Sequence, residues 1–393
     1  MTQTTVHKPS YLVHFARILT GVLFIFSGLI KANDPTGFSY KLIEYFEVFH
    51  LTFFNHLALA LAVLICTLEI LLGALLLLGF WGSKVAWGLL ILILFFSFLT
   101  FYSAYFEVVT SCGCFGDAIP LTPWQSFSKD LVLLILIVII FANRRYITPV
   151  IADGYTQAIT AGLLTIVSLG IGIYTVNFLP FIDFLPYKVG NNLPKLMTLP
   201  PGEKPDEYEM TYQLLNKETG QKKQLTDKEY IAQQVWLDKS WEIQGEPTSR
   251  LVKKGYTVPI GDLQITDAQG GDHTHELIEN PDYNLIVVAW DLDNTDIEGL
   301  KKINAIAAEA TDQYRIRTVL LTGASAQDAE ALSQDLNLSM ENFYADGVPL
   351  KMMVRANPGV LLLKNGNVVD KWHFHTFPSF DELSKKYFEN AGD

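Results

Sequence analysis

The stretch "KDLVLLILIVIIFANRRY", Lys129–Tyr146, decides how the chain is organised. Its uninterrupted apolar run, Leu131–Phe141, falls short of the roughly 20 helical residues that cross a bilayer core. Phe127 before it and Ala142 after it supply the missing length, and it reads as a membrane span. Four longer runs read the same way, at about Tyr11–Ile30, Leu57–Phe80, Val85–Phe106 and Ala158–Phe178. The first lacks a small-x-small cleavage site and runs on into "GLIKANDP", so it reads as an anchor helix and not as a signal peptide. Half of the 393 residues are hydrophobic, 50%, which is high for a soluble protein and fits this count.

Charge divides the chain in two. Up to Pro180 there are eight Lys and Arg against eight Asp and Glu, so the whole net charge of −12 belongs to the second half. An acidic soluble half repels phosphate backbones, which argues against nucleic acid as a partner and leaves the lipid bilayer as the expected one. With the N-terminus in the cytoplasm, Lys8, Arg17, Lys84, Arg144 and Arg145 fall at inner ends of spans. Lys31, Lys41 and Lys129 fall outside. Five spans then carry the 110–117 loop and everything after Pro180 to the outer side of a bacterial inner membrane, into the periplasm, where disulfides persist.

Between the first two spans, "NDPTGFSYKLIEYFEVFHL" alternates aromatic and charged residues at near-helical spacing, the pattern of a helix lying on the membrane surface or else of an ordinary loop. After the fifth span, "LPFIDFLPYKVGNNLPKLMTLPPGEKP" holds six prolines and no sustained period, which predicts an extended connector. Residues 207–254 read as hairpin strands with a turn at Thr219–Gly220. From Gly255 the pattern becomes α/β. "NLIVVAW" and "IRTVLLTG" are buried strands, "DIEGLKKINAIAAEA" and "SAQDAEALSQDL" are amphipathic helices, and "NPGVLLLKNGNVVDKWHF" is a hairpin closed at Asn365–Gly366.

That order, β-α-β-α followed by a hairpin entered through Pro358 and a last helix, resembles the thioredoxin fold. The resemblance implies a cis proline at Pro358, facing the end of the first central strand at Trp290. It also implies a Cys-x-x-Cys after that tryptophan, and here the chain departs, with Trp290-Asp291-Leu292-Asp293-Asn294 and no thiol. The first half, over residues 11–145, resembles the DoxX/MauE superfamily of four-helix membrane proteins. "RILTGVLFIFSGLIKANDP", "LEILLGALLLLG" and "SCGCFGD" carry that likeness. MauE-like members imply periplasmic disulfide formation or thiol transfer, and DoxX-like members imply quinone-linked oxidation. The joined architecture is similar to that of a Bacteroidetes family. The expected division is a DoxX/MauE-like bundle at 1–150, a fifth helix and connector at 151–184, an extended and hairpin region at 185–254, and a thioredoxin-like domain at 255–393.

Cys112 and Cys114, with only Gly113 between them, are the candidate chemistry. A disulfide across one residue closes a small strained ring, and strain makes the bond easier to reduce. Asp117 is placed to relay a proton, although a like-charged neighbour disfavours the thiolate. The plain alternative is a tight loop with inert thiols. Capture of Cu(I) or zinc by the pair, completed by His273 and His275 or His373 and His375, is the rival chemistry, and two thiolates leave a zinc site incomplete. No metal is assigned.

Arg17 and Glu69 are ionisable groups inside apolar spans, where such groups pair, face water or snorkel. Counted from the inner surface they fall at similar depth and are expected to face each other, while Lys31 reads as a snorkelling anchor. Cys66 reads as a small hydrophobe. In "DLDNTD", the residues Asn294, Thr295 and Asp296 are expected to cap the following helix. The function expected from the sequence is membrane-associated thiol/disulfide redox chemistry by Cys112 and Cys114, with Asp117 assisting. A periplasmic thiol protein would be the client in a groove near Trp290 and Pro358, and a quinone the electron acceptor. The competing expectation is a non-enzymatic, membrane-anchored binding or assembly module.

Overall fold

The computed structural model describes residues 11–109, 113, 115–245 and 247–389. Cys112 and Cys114 lie outside the described residues. Among those residues, five helices are long and apolar enough to cross a membrane: α1 (Tyr11–Asn33), α3 (Ala58–Leu78, led in by a 3-10 turn from Thr52), α4 (Gly82–Phe106), α5 (Pro123–Ala142) and α6 (Gly154–Asn177). Between α1 and α3 lies the shorter α2 (Pro35–Val48), which decides for the helix over the loop in that stretch. Asp34 starts it by accepting a bond from Gly37 N at 2.8 Å, with Pro35 in the first turn, where its missing N–H costs nothing. The shortest apolar run gains its length at its N-terminal end. Pro123 opens α5, and Thr122 and Gln125 form a reciprocal capping box there.

The tightest packing in the bundle is between α1 and α3, which run antiparallel. A Cβ on Gly28 would stand 2.9 Å from Ile70 N, and one on Gly73 would stand 2.8 Å from Gly21 O. Small residues bring the two backbones together in this way where lipid supplies no hydrophobic drive. The same contacts fix the register, with Gly28 level with Glu69 and Ile70, and Arg17 level with the C-terminal end of α3.

Beyond α6 the chain builds two sheets. The smaller is organised by β1 (Glu207–Asn216), which pairs with β2 (Lys222–Thr226) on one edge and with β3 (Trp241–Ile243) and β4 (Thr248–Lys253) on the other, all antiparallel. The larger has the order β7-β6-β5-β8-β9. In it β5 (Tyr283–Val288), β6 (Arg317–Thr322) and β7 (Glu341–Tyr344) are parallel, while β8 (Gly359–Lys364) and β9 (Asn367–His373) are antiparallel. Alternate residues of β5 feed two cores. Leu285 and Val287 pack on Leu300 and Ile303 of the helix Ile297–Tyr314. Ile286 and Val288 pack on Tyr187 and Leu193.

That second core corrects the expectation of an extended connector. Tyr187 and Leu193 are fully buried, and the chain around them joins the sheet margin through Gly190 N to Val368 O at 2.8 Å and Val368 N to Asn191 O at 2.9 Å. Asn192 caps a short helix, Leu193–Met197, with Pro194 in its first turn, and the apolar residues of the connector fill one face of the sheet. The Asn357–Pro358 bond is cis. Asn357 ties this turn to the end of β5, donating from Nδ2 to Asp291 O at 2.6 Å and accepting from Asp296 N at 3.0 Å. Asp296, with Gly299 N at 2.7 Å, is the cap of the next helix.

Candidate functional site

The end of α1, the start of α2, the 113–117 loop and the larger sheet meet at one place, and Arg355 is at its centre. The guanidinium donates from Nε to Asp34 Oδ2 at 2.8 Å, from Nη2 to Asp117 Oδ2 at 3.0 Å and from Nη1 to Lys351 O at 2.6 Å. Its planar fork suits this division between two carboxylates. Arg355 is buried, and burial alone would weaken its charge. Asp34 and Asp117 outweigh that and hold it above its ordinary range. Burial raises Asp117 above the usual carboxylate range, with Arg355 opposing and Asp34 adding to the rise.

The aromatic half of the junction is Tyr40 of α2 and Trp290 at the end of β5, edge to face at 6.0 Å between ring centroids. Lys351 lies over both rings, 5.0 Å from Tyr40 and 4.7 Å from Trp290. Burial pushes the Tyr40 hydroxyl upward, so it stays neutral. Two further ties hold the sheet to the bundle. Lys371 pairs with Asp183 of the connector, and His375 Nδ1 bonds Asn177 O at 2.8 Å at the end of α6. Burial lowers Lys371 although Asp183 opposes the shift.

Gly113, between the two cysteines in sequence, rests against α2. A Cβ on Gly113 would stand 3.3 Å from Lys41 Cγ, and Gly116 N bonds Gly113 O at 3.0 Å. Phe115 turns inward, with its ring 5.7 Å from that of Phe26 and beneath the Lys129 ammonium at 5.1 Å. A cavity of about 340 Å³ opens where loop, α2, connector and sheet meet, and Gly113, Asp117, Asp34, Lys31 and Arg355 line it.

The structure thus places Asp117 and Trp290 at one junction, with Pro358 following Asn357 beside the turn after Trp290. It does not bring Arg17 and Glu69 together. Arg17 donates from Nη2 to Leu76 O and Leu77 O, both at 3.2 Å, closing the C-terminal end of α3. Glu69 pairs instead with Lys31, and both are buried, at 2% and 3% side-chain exposure. The close contact of Gly28 with Ile70 slides the helices so that about eleven residues of α1, roughly 16 Å, separate the level of Glu69 from that of Arg17. Lys31 is therefore a buried partner and not a snorkelling anchor.

A second pair lies nearby. Asp130, 1% exposed, takes bonds from Lys129 at 2.6 Å and Thr100 Oγ1 at 3.0 Å. Sequence reasoning passed over Arg355 and Asp130. The signal for Arg355 was a charge following the apolar Met352-Met353-Val354, and for Asp130 a Lys129–Asp130 pair set directly before the apolar run from Leu131. His273 bonds Asp267 and Glu276, and His275 bonds Glu279. Among the described residues no three His, Cys, Asp or Glu side chains gather as a metal-binding group. Cys66 is buried in α3.

Five apolar helices with ion pairs closed inside them define a multi-pass membrane protein. Residues 9–143 match the family described as methylamine utilisation protein MauE. Over 139 residues the chain is 32% identical to "Protein TlpB" of Flavobacterium psychrophilum. That alignment takes in 34% of this chain and 37% of the relative, so the chain spans little more than a third of the length of the curated protein it matches.

Proposed function

We propose that this is a membrane-bound thiol/disulfide redox protein in which Cys112 and Cys114 are the reactive couple. Its sheet-bearing second half, read as a thioredoxin-like domain without thiols of its own, presents clients to them. The observation that carries the reading is the Arg355 clamp. Asp117 stands three residues beyond Cys114 in sequence, and the guanidinium that binds it comes from the sheet region and also holds Asp34 at the membrane surface. The second half is therefore tied to Asp117, close in sequence to the two cysteines. The strand order around β5, β6, β8 and β9 and the cis bond before Pro358 support the thioredoxin-like reading. The MauE match over the bundle and the TlpB relative support a thiol-related role.

In this reading residues 1–150 hold the redox loop, 255–393 hold the client groove near Trp290 and Pro358, and both face the periplasm from the inner membrane. A client thiolate attacks the Cys112–Cys114 disulfide, a mixed disulfide forms, and the second client thiol resolves it. The client leaves oxidised and Cys112 and Cys114 are left as thiols. Reoxidation passes the electron pair and two protons to a quinone in the membrane. The test is turnover of a reduced peptide client by purified protein in nanodiscs with a short-chain benzoquinone. Wild-type protein should turn over, and Cys112→Ser or Cys114→Ser should stop it. Equal turnover by the double serine variant would overturn the proposal. Client binding by Cys112→Ser/Cys114→Ser with no turnover by any form would put the non-enzymatic docking module in its place.

A further inference from the structure

Below the junction lies a second cavity of about 200 Å³, enclosed by α1, α3, α4 and α5. Phe24, Phe96 and Phe115 supply ring walls, and both buried ion pairs, Lys31–Glu69 and Lys129–Asp130, border it. Lys31 belongs to this cavity and also to the outer one that Gly113 and Asp117 line. Its ammonium sits between a ring of each, 5.3 Å from Phe38 on the outer side and 4.7 Å from Phe96 on the inner side. The residue after Cys114, Phe115, is part of the inner wall. Glu69 uses only Oε1 for Lys31. Its Oε2 is buried and has no hydrogen-bond partner among the described residues. A buried carboxylate oxygen left in this state is an acceptor waiting for a donor.

We infer that the Lys31–Glu69 pair is a proton bridge between the cysteine loop and the inner cavity, and that this cavity seats a neutral, ring-sized, two-electron, two-proton acceptor carried in the membrane. This rests on the reading of Cys112 and Cys114 as a redox couple. Forming their S–S bond breaks two S–H bonds and releases two electrons and two protons. The acceptor takes all four, so dithiol and acceptor become disulfide and reduced acceptor with nothing left over. The electron pair passes from sulfur to the ring. The Lys31 ammonium gives its proton to the ring by way of Glu69, and a thiol proton arriving from the outer cavity restores the ammonium, so the pair ends each transfer as it began.

The chemistry of the walls selects the acceptor. The cavity's charges cancel in pairs, so a charged ligand would leave a buried charge uncompensated. Its volume is smaller than the roughly 300–1,000 Å³ of drug-sized sites, which suits a single ring and excludes a dinucleotide. A hydroxyl on the reduced ring gives Glu69 Oε2 the donor it lacks.

The experiment separates the two half-reactions in nanodiscs. In the first, oxidised protein meets a reduced peptide thiol with no acceptor present, and wild type, Glu69→Gln and Glu69→Asp should exchange at equal rates. In the second, fully reduced protein meets a short-chain benzoquinone. Wild type should reoxidise, Glu69→Gln and the double variant Lys31→Met/Glu69→Leu should slow about 100-fold, the scale of lost acid–base catalysis, and Glu69→Asp should recover a large part of the rate. The double variant removes both charges and so keeps a folded bundle without an orphaned ammonium, as a monodisperse elution peak checks. If a folded double variant reoxidises at the wild-type rate, or if wild type exchanges thiols but is not reoxidised by the quinone, the inference is overturned and the thiol reading stands. If the first half-reaction fails in wild type, the thiol reading itself falls, and the inference with it.

Discussion

At the scale of single residues, Arg355 is the side chain on which most depends. A buried guanidinium shared by two carboxylates is expensive to remove, because the acids stay behind with their charge uncompensated. Arg355→Leu should destabilise the docked protein by about 3–5 kcal/mol. Adding Asp34→Asn should recover a large share, since Asp34 is the more buried of its partners at 17% exposure against 50% for Asp117. Thermal melts of the three proteins in one detergent check this, and equal melting of the single and double variants would count against the clamp.

His373 gives a prediction in pH. Burial lowers its pKa from 6.5 to about 4, with the His375 charge adding to the shift and Asp296 opposing it. The unfolded chain therefore binds a proton that the folded one refuses between those values. The stability is present above pH 6.5 and is lost as pH falls toward 4, by at most about 1.4 kcal/mol per unit. In His373→Gln the melting temperature should fall less steeply across that window than in the wild type.

Among elements, the α1–α3 contact sets everything that the membrane half positions. Gly28→Ala puts a methyl group into the backbone of Ile70 and should cost about 1–3 kcal/mol by forcing the helices apart. Gly170→Ala in α6, where a Cβ meets nothing within 4 Å, should leave stability unchanged or raise it by up to about 1 kcal/mol through helix propensity. Melts of the two variants side by side test whether proximity or glycine content governs the bundle. The helices themselves were legible in the sequence because a bilayer tolerates only long apolar runs. Their register was not, because it depends on which small residues of one helix meet those of another. Arg17 and Glu69 were misjudged for that reason. Tyr187 and Leu193 were hidden similarly, since the partners that bury them lie far along the chain on the larger sheet.

For the molecule as a whole, the orientation argued from Arg144 and Arg145 predicts a cytoplasmic N-terminus and a periplasmic second half. Alkaline phosphatase fused after residue 393 should be active, and fused after Arg145 it should be inactive. The reverse pattern would place Cys112 and Cys114 in a reducing compartment and remove the setting the proposed chemistry needs. The sheet order was readable from alternating strand and helix patterns, whereas the seat of the second half on the bundle was not. That seat is made by single side chains, Arg355, Lys371 and His375, each of which is unremarkable in its own stretch.

The bond between His375 and Asn177 and the pair between Lys371 and Asp183 straddle a very short leash. Only about eight residues separate the end of α6 from the buried Leu185, two residues before Tyr187 of the sheet core. A leash of that length reaches roughly 15 Å when slack, which keeps the second half at a millimolar or higher local concentration over the bundle. Each tie can then be weak and the seat still stay filled, with release and return as rapid local events. Under the proposed thiol chemistry, a client would compete with an occupant that never diffuses away, and its apparent affinity would be reduced by the fraction of time the seat is closed. Lengthening the leash with a flexible insert at Pro180 would lower that local concentration.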